Sequence, residues 1–579
     1  MRTLLRRQVP GSSRIGTLIS VVAALAVGCA SPRQSPAPGE EKGRAPLYEN
    51  LGATQVPITT TSPDAQRYFD QGMRLSYAFN HAEAIRAFRQ AAAIDPQCAM
   101  CYWGVAYALG PNINAPITPE AARDAWTAIG QARQARGASE KERAFIDALA
   151  TRYAADPKAE RAPLDRAYAE SMRDLTRRYP DDLEAATLFA QSLMDTNPWN
   201  YWDVQGNPRA FTSEVLTTLE SVLKRNASHI GAIHMYIHAV EASPDPKRAE
   251  PYADRLAALA PGAGHLVHMP GRIYLRTGRY HDASIANEHA VKADEAYFSS
   301  DHVPENMMYA IGYYPHNMHF LVTSASLEGR QADALRAAEQ VREKVPEHML
   351  HDPGMSGMVQ HMRLSPLYTK GRFELWDQVL AEPLPPSDLA FMNAMTHAAR
   401  GMALVAMGRL QEAEAENMSV HAARGDRSLQ DVMISSVGRA SAIVAIADEV
   451  LSGQIATGRR RADAAAQHFA AAVALEDGLT YMEPPDWPIP VRQLQGAALL
   501  QLGRAREAEA AFLGDLRKFP ENGWSLSGLQ NALEQQGKRA EAAAVRDRAA
   551  AQWTRADVQL AAGRVRTRAA APAATTQTQ

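Results

Sequence analysis

The chain is 579 residues long, enough for several compact domains or for one long repeat array with a large buried core. Its 61 Lys and Arg nearly balance 64 Asp and Glu, leaving a net charge of −3 that argues against a nucleic-acid-binding field and an acidic interaction tail, so no nucleic acid is expected. Ala, Leu, Arg and Glu dominate and β-branched runs are scarce, which favours helix over strand throughout.

The first element is a processing segment. Arg2, Arg6, Arg7 and Arg14 precede an apolar run from Ile15 to Val27, too short to span a bilayer comfortably, and small residues lead on to Cys29. Leu25-Ala26-Val27-Gly28-Cys29 resembles the lipobox of bacterial lipoproteins, relaxed at Ala26, where that family usually has leucine. The resemblance implies a signal peptide over residues 1–29, lipidation at Cys29 and attachment to the membrane by the lipid anchor only. With Ala30 rather than aspartate next, it further implies the cell envelope and its outer membrane. An ordinary cleaved export signal with an incidental cysteine is the alternative. Residues 30–62, rich in Pro, Gly, Ser and charge, are expected to form a disordered tether.

Cys98 and Cys101 stand one helical turn apart. In an oxidising compartment they either close a small disulfide or pack as two small buried residues; Tyr102 after them does not support haem attachment, and two thiols alone do not make a structural zinc site.

Repeats begin at Ala65. Gly72, Ala84, Phe88, Ala91 and Pro96 match the positions at which a tetratricopeptide repeat carries Gly, Ala, Phe, Ala and Pro, and the unit resembles that family. Gly72 and Ala84 let two helices approach, Phe88 and Ala91 fill the seam to the next unit, and Pro96 stops the second helix. A Gly-Arg turn with alanine five residues after the glycine recurs at Gly278 and Ala283, Gly329 and Ala334, Gly408 and Ala413, and Gly503 and Ala508; at Gly537 and Ala542, Lys538 replaces the arginine. At Gly371 the alanine's place is taken by Trp376. Weaker units fit Ser139 to Pro180, Asp182 to Ser228, Gly231 to Pro261 and Val432 to Asp477. A single unit cannot bury its apolar face alone, so the resemblance implies an all-α, right-handed superhelical solenoid of tetratricopeptide-like hairpins with a concave inner surface. The expected divisions are N-terminal repeats over 63–228, histidine-rich central repeats over 229–382, C-terminal repeats over 383–558 and a disordered tail over 559–579.

The central repeats concentrate histidine. When each turn glycine is numbered position 15, His268, His319 and His361 fall at position 5, and His234 joins them if Ala249 is taken as position 20. His265 and His316 fall at position 2, His238 and Arg272 at 9, and Glu241 at 12. Residues three and four apart share a helix face, and in the resembling repeats these first-helix positions line the groove. His234, His238, Glu241, His265, His268, His316, His319 and His361 are therefore candidate ligands for a transition metal (Zn, Cu, Fe, Ni or Mn). Direct contact with a ligand or peptide, and plain packing, are the competing readings. His234-Met-Tyr-Ile-His238 lacks a glutamate directly after its first histidine, so the zinc-protease motif is absent.

Three loops could complete the groove. Asn197-Pro198-Trp199-Asn200-Tyr201-Trp202, Tyr481-Met482-Glu483-Pro484-Pro485-Asp486-Trp487 followed by Arg492, and Pro111-Asn112-Ile113-Asn114-Ala115-Pro116 supply aromatics, amides and carboxylates. Asn197, Trp199, Tyr481, Glu483, Trp487, Arg492 and Arg272 are candidate ligand-binding residues, with Arg272 placed to meet an acidic ligand or Glu241. Helix capping and gap filling are the alternative.

The strings Ile233-His234-Met235-Tyr236-Ile237-His238-Ala239-Val240-Glu241, Gly264-His265-Leu266-Val267-His268-Met269-Pro270 and Tyr313-Tyr314-Pro315-His316-Asn317-Met318-His319-Phe320, with the Tyr481 loop, resemble a bacterial family of large tetratricopeptide proteins that has no settled activity. The expected function is binding or assembly through a metal-holding groove. A scaffold gripping a protein or peptide partner, or a metal-dependent enzyme with Glu241 or Glu483 as base, are the alternatives. No catalytic residue is assigned. No phosphate loop or serine elbow points to another chemistry.

Overall fold

The computed structural model describes residues 44–300 and 308–565; the signal segment and Cys29 lie outside them. The described chain is built of antiparallel helical hairpins stacked in sequence order, from Pro63–Tyr77 with His81–Ile94 to Gly523–Gln535 with Arg539–Gln552. The weaker units are hairpins too: Glu140–Ala150 with Arg161–Arg178, Leu183–Asp195 with Thr212–Arg225, Ile230–Val240 with Glu250–Leu259, and Ala440–Gly458 with Ala462–Asp477. The fold is thus the all-α, tetratricopeptide-like array expected. Among the described residues, no helix is long and apolar enough to cross a membrane.

Phe88 shows why the hairpins stack. Its ring is fully buried, and a Cβ added at Gly72 or at Gly104 would sit 2.5 or 2.4 Å from it, so the two glycines form a slot into which the ring wedges. One aromatic side chain thereby fixes both the distance within a hairpin and the seam to the next. The Gly-Arg turns are equally direct: Gly278, Gly329, Gly408, Gly503 and Gly537 all adopt φ between 74° and 82°, a left-handed conformation that glycine enters without steric cost. Gly371 does not. There the helix Ser365–Arg372 ends and Glu374, at φ 57°, makes the turn before Trp376. Phe79 holds the same turn position in the first repeat at φ 56°, a strained choice for a bulky residue.

Two expectations change at the edges of the array. The end of the expected tether is tied down: Tyr68 Oη donates to Ala45 O at 2.6 Å, Tyr48 N–H to Gln71 Oε1 at 2.8 Å and Val56 N–H to Asp70 Oδ1 at 2.9 Å. Side chains of the first helix satisfy this strap's backbone, which composition alone does not reveal. The start of the expected tail is also ordered. Leu560–Ala561 pairs antiparallel with Arg564–Val565, and Arg564 grips Glu374 through two hydrogen bonds of 2.8 and 3.0 Å.

The C-terminal repeats also touch the central ones. Tyr280 Oη donates to Pro520 O at 2.7 Å, Trp524 Nε1 to Ser326 O at 2.8 Å, and Asp557 accepts from the N–H groups of Gln331 and Ala332. The Tyr481 loop likewise reaches the histidine-rich face at Arg272 and Glu241, leaving a cavity of about 160 Å³ along it. Cys98 and Cys101 form a disulfide at the start of the helix Ala99–Leu109.

Replacing Phe88 with alanine is expected to cost about 3–5 kcal/mol of stability, because the slot cannot collapse onto a methyl group. The unfolding midpoint of the variant measures this; an unchanged midpoint would show that the wedge carries no load.

Candidate metal centre

The helix Ile230–Val240 starts at His229, whose Nδ1 accepts the Ala232 N–H at 3.1 Å. One turn further along stand His234 and His238, one face of which meets the helix Gly264–Thr277 and its His265. All three imidazoles are buried. One ring nitrogen from each lies within 4.8 Å of the others, and His234 Nε2 is 3.1 Å from His265 Nε2.

The outer partners set which nitrogen is available. His234 Nδ1–H donates to Tyr77 O at 2.7 Å, and His238 Nδ1–H donates to Glu241 Oε1 at 2.9 Å. His268 Nδ1–H donates to Asn287 Oδ1 at 2.7 Å, the amide being oriented by its own Nδ2–H donated to Ala283 O. In each case the proton is held at Nδ1, leaving the lone pair on Nε2; the bonding network assigns these tautomers. Among the described residues, Nε2 of His238 and of His268 and Nδ1 of His265 are buried with no partner. A ring held at one nitrogen by a carboxylate, carbonyl or amide, with the other nitrogen bare, is the arrangement of a metal-ligating histidine.

Burial keeps the rings neutral, the form that binds metal. It drives the pKa of His234 and His265 well below the usual histidine range, with neighbouring imidazoles adding to the shift, and lowers that of His238 against the opposing pull of Glu241. His268 is pulled down to about 3 by burial and by Arg272.

Glu241 departs from the expected ligand role. Besides the His238 bond, its Oε2 accepts from Arg272 Nε at 2.5 Å, so both oxygens are committed and the carboxylate orients the His238 ring instead of joining the three-imidazole cluster. Arg272 in turn reaches His316 Nε2 at 3.2 Å and the backbone carbonyl of Glu483 at 3.4 Å.

The shared register position does not converge on one point. Residues equivalent in adjacent first helices stand a helix-packing distance apart, about 8–10 Å, so offset positions meet instead: 5 and 9 of one helix with 2 of the next. His268 lies outside the triad, stacked 5.8 Å from His265 and edge-on to His316 at 4.9 Å by ring centroid. His319 and His361 form a separate pair, 5.9 Å apart, pulled down to about 4 and about 3 respectively by burial. Both belong with His316 to the wall of a cavity of about 160 Å³ that also contacts His238 and His265.

The loops contribute unequally. Trp199 sets its ring edge-on to His238 at 5.3 Å and under the Arg272 guanidinium, also at 5.3 Å. Tyr481 Oη points at Glu241 Oε2 from 3.5 Å. Glu483 and Asp486 line the cavity, and burial raises both carboxyl groups to about 7. Asn114 lines it too, donating to Tyr313 Oη at 3.0 Å. Asn197 instead donates to Thr196, Trp487 lines a separate hollow of about 40 Å³, and Arg492 is held by Asp477 in a two-bond ion pair.

Other neighbours were not singled out from the sequence. Phe79 projects its ring to 4.5 Å from His234 and 5.3 Å from His265. Its presence at a turn position that other repeats give to glycine is the signal that could have found it. Tyr313, re-aimed by the π-helical turn Tyr309–Tyr313, lies 4.8 Å from His265. The Tyr77 carbonyl has no sequence signature.

No protein-family model matches the chain. None of the curated proteins matches it. Among solved structures it is similar to Cut9–Hcn1 of the APC/C hetero-tetramer, at 11% identity over 84% of this chain and 73% of that one, TM-score 0.29. It is similar to the human IFIT1 dimer with m7Gppp-AAAA, at 10% over 85% and 90%, TM-score 0.31, and to the P58(IPK) TPR domain, at 12% over 82% and 99%, TM-score 0.22. None of these similarities is near enough to place a site residue.

The folded state favours neutral His361, with a pKa of about 3 against an unfolded value near 6.5. Its contribution to stability is therefore complete above pH ~6.5 and is lost as pH falls toward the folded value, by about 2 kcal/mol at pH 5. A His361→Gln variant is expected to lose about 2 kcal/mol less unfolding free energy than the wild type between pH ~6.5 and pH 5, read from denaturant unfolding at the two pH values. A loss equal to the wild type's would contradict the burial described.

Proposed function

We propose that the protein is an exported binding or assembly scaffold that holds a transition metal at Nε2 of His234 and His238 with a ring nitrogen of His265. The observation that carries this reading is the cluster of three buried, neutral imidazoles, with His234 and His238 each braced at Nδ1, His234 Nε2 against His265 Nε2, and Nε2 of His238 and Nδ1 of His265 without a partner. A tetrahedral ion with metal–nitrogen bonds of about 2.0–2.1 Å needs donor atoms about 3.3–3.4 Å apart. The 3.1 Å between His234 and His265 is near that spacing, and the ring nitrogens of all three residues lie within 4.8 Å of one another. Three nitrogens leave a fourth position, and the cavity contacted by His238 and His265 lies beside it. An imidazole set suits zinc, copper, iron or nickel.

The export reading places this scaffold on the outer membrane through lipidated Cys29. The Cys98–Cys101 disulfide is in keeping with an oxidising compartment. A protein or peptide partner docked on the helical array is the second reading. The two separate under chelation: partner capture that survives both chelator and histidine substitution belongs to the scaffold alone.

Purified protein, stripped with chelator and titrated with zinc, is expected to take up about one equivalent per chain by elemental analysis. His234→Ala or His238→Ala should abolish that tight site. Glu241→Gln, which weakens the brace on His238, should lower affinity by about 10–100-fold. His397→Ala, at a histidine paired with Glu416 in another repeat, should change nothing. Stoichiometric uptake by the His234 and His238 variants would overturn the assignment.

A further inference from the structure

A separate cavity of about 250 Å³ lies among the C-terminal repeats and shares no lining residue with the histidine cavity. Arg372, the last residue of the helix Ser365–Arg372, forms part of its wall. Other interior arginines are each in contact with a carboxylate: Arg86 with Glu83, Arg152 with Asp165 and Asp195, Arg272 with Glu241. Arg372 is more than nine-tenths buried and, among the described residues, has no carboxylate within ion-pair distance. Its guanidinium lies 3.7 Å from the Trp524 ring centroid, NH1 donates to Gln493 Oε1 at 2.7 Å, and NH2 has no acceptor.

The two acidic groups that attract it are already committed. Asp515 accepts from Ser525 Oγ, Gln493 Nε2 and Asn522 Nδ2, at 2.6, 2.8 and 3.0 Å, so Arg372 reaches it only through the Gln493 amide. Glu374 is held by both bonds of Arg564. Burial draws the Arg372 pKa down to about 9, which leaves it a cation at neutral pH. A buried cation without a contacting anion is costly, and a planar guanidinium with a free edge is matched by a carboxylate. The remaining walls combine Trp376, Met402, Val405 and Leu494, which give a hydrocarbon tail a long contact surface, with the polar side chains of Gln454, Thr457 and Gln501.

We infer that this cavity binds an amphiphilic carboxylate, with the head group on Arg372 and an alkyl tail along the Trp376, Met402 and Leu494 wall. The proposal is independent of the metal reading, since chelation leaves Arg372 and its neighbours untouched.

Isothermal titration of the full chain with decanoate is the test. Saturable one-to-one binding is expected, with decanol, which has the same tail without the charge, at least 10-fold weaker. Arg372→Gln should weaken decanoate binding at least 10-fold, and Ala497→Phe, which fills the cavity while keeping the arginine, should do the same. Chelator-treated protein should bind as untreated protein does. Absence of saturable decanoate binding, equal binding of decanol, or wild-type affinity in the Ala497→Phe variant would each overturn the proposal; if Arg372→Gln does not fold, the decanol comparison and Ala497→Phe decide it.

Discussion

The buried bond network around Glu241 is the constraint on which the site depends. This carboxylate, with no exposed surface, accepts the Nδ1–H of His238 and the Nε–H of Arg272. An ionised carboxylate in that environment is tolerable only with a cation and strong donors in contact. Arg272 supplies the charge, and both it and His238 lower the Glu241 pKa against the opposing effect of burial. Arg272 then extends the same network to His316 and to the backbone of the Tyr481 loop. One ion pair therefore joins two successive repeats to a loop more than two hundred positions away in sequence, and it fixes the ring that presents Nε2.

That arrangement is expensive unless it is used. Unpartnered buried nitrogens on His238, His265 and His268 forgo hydration without a compensating bond. Packing alone would be better served by leucine or phenylalanine at these positions. An ion shared among the triad, as proposed, would give the bare His238 Nε2 a partner, and the bonds to Tyr77 O and Glu241 hold the His234 and His238 rings in place. Phe79, Trp199 and Tyr313 pack their rings against the imidazoles, which lowers the local polarity and strengthens the electrostatic contacts inside.

Much of the fold was legible because local chemistry dictates it. A Gly-Arg turn needs φ above zero, and five such glycines have it; Phe88 needs a slot, and Gly72 and Gly104 provide one. The concentration of histidines in the central repeats was legible for the same reason, as was the contact of Arg272 with Glu241. What sequence spacing could not supply was the stagger between stacked helices, which brings His265 rather than His268 to His234 and His238. The Tyr481 loop was legible as a segment that could complete the groove, but the turn residue Phe79 and the carbonyl of Tyr77 reach the centre only through tertiary packing, and Arg492, which looked equally suitable, is spent on Asp477.

The central claim is that three imidazoles share one ion. X-ray absorption at the metal edge of the reconstituted protein tests it most directly. A coordination shell containing three imidazole nitrogens at about 2.0–2.1 Å is expected, with no tightly held metal in the His238→Ala variant. A shell of oxygen donors alone, or one unaltered by loss of His238, would contradict it.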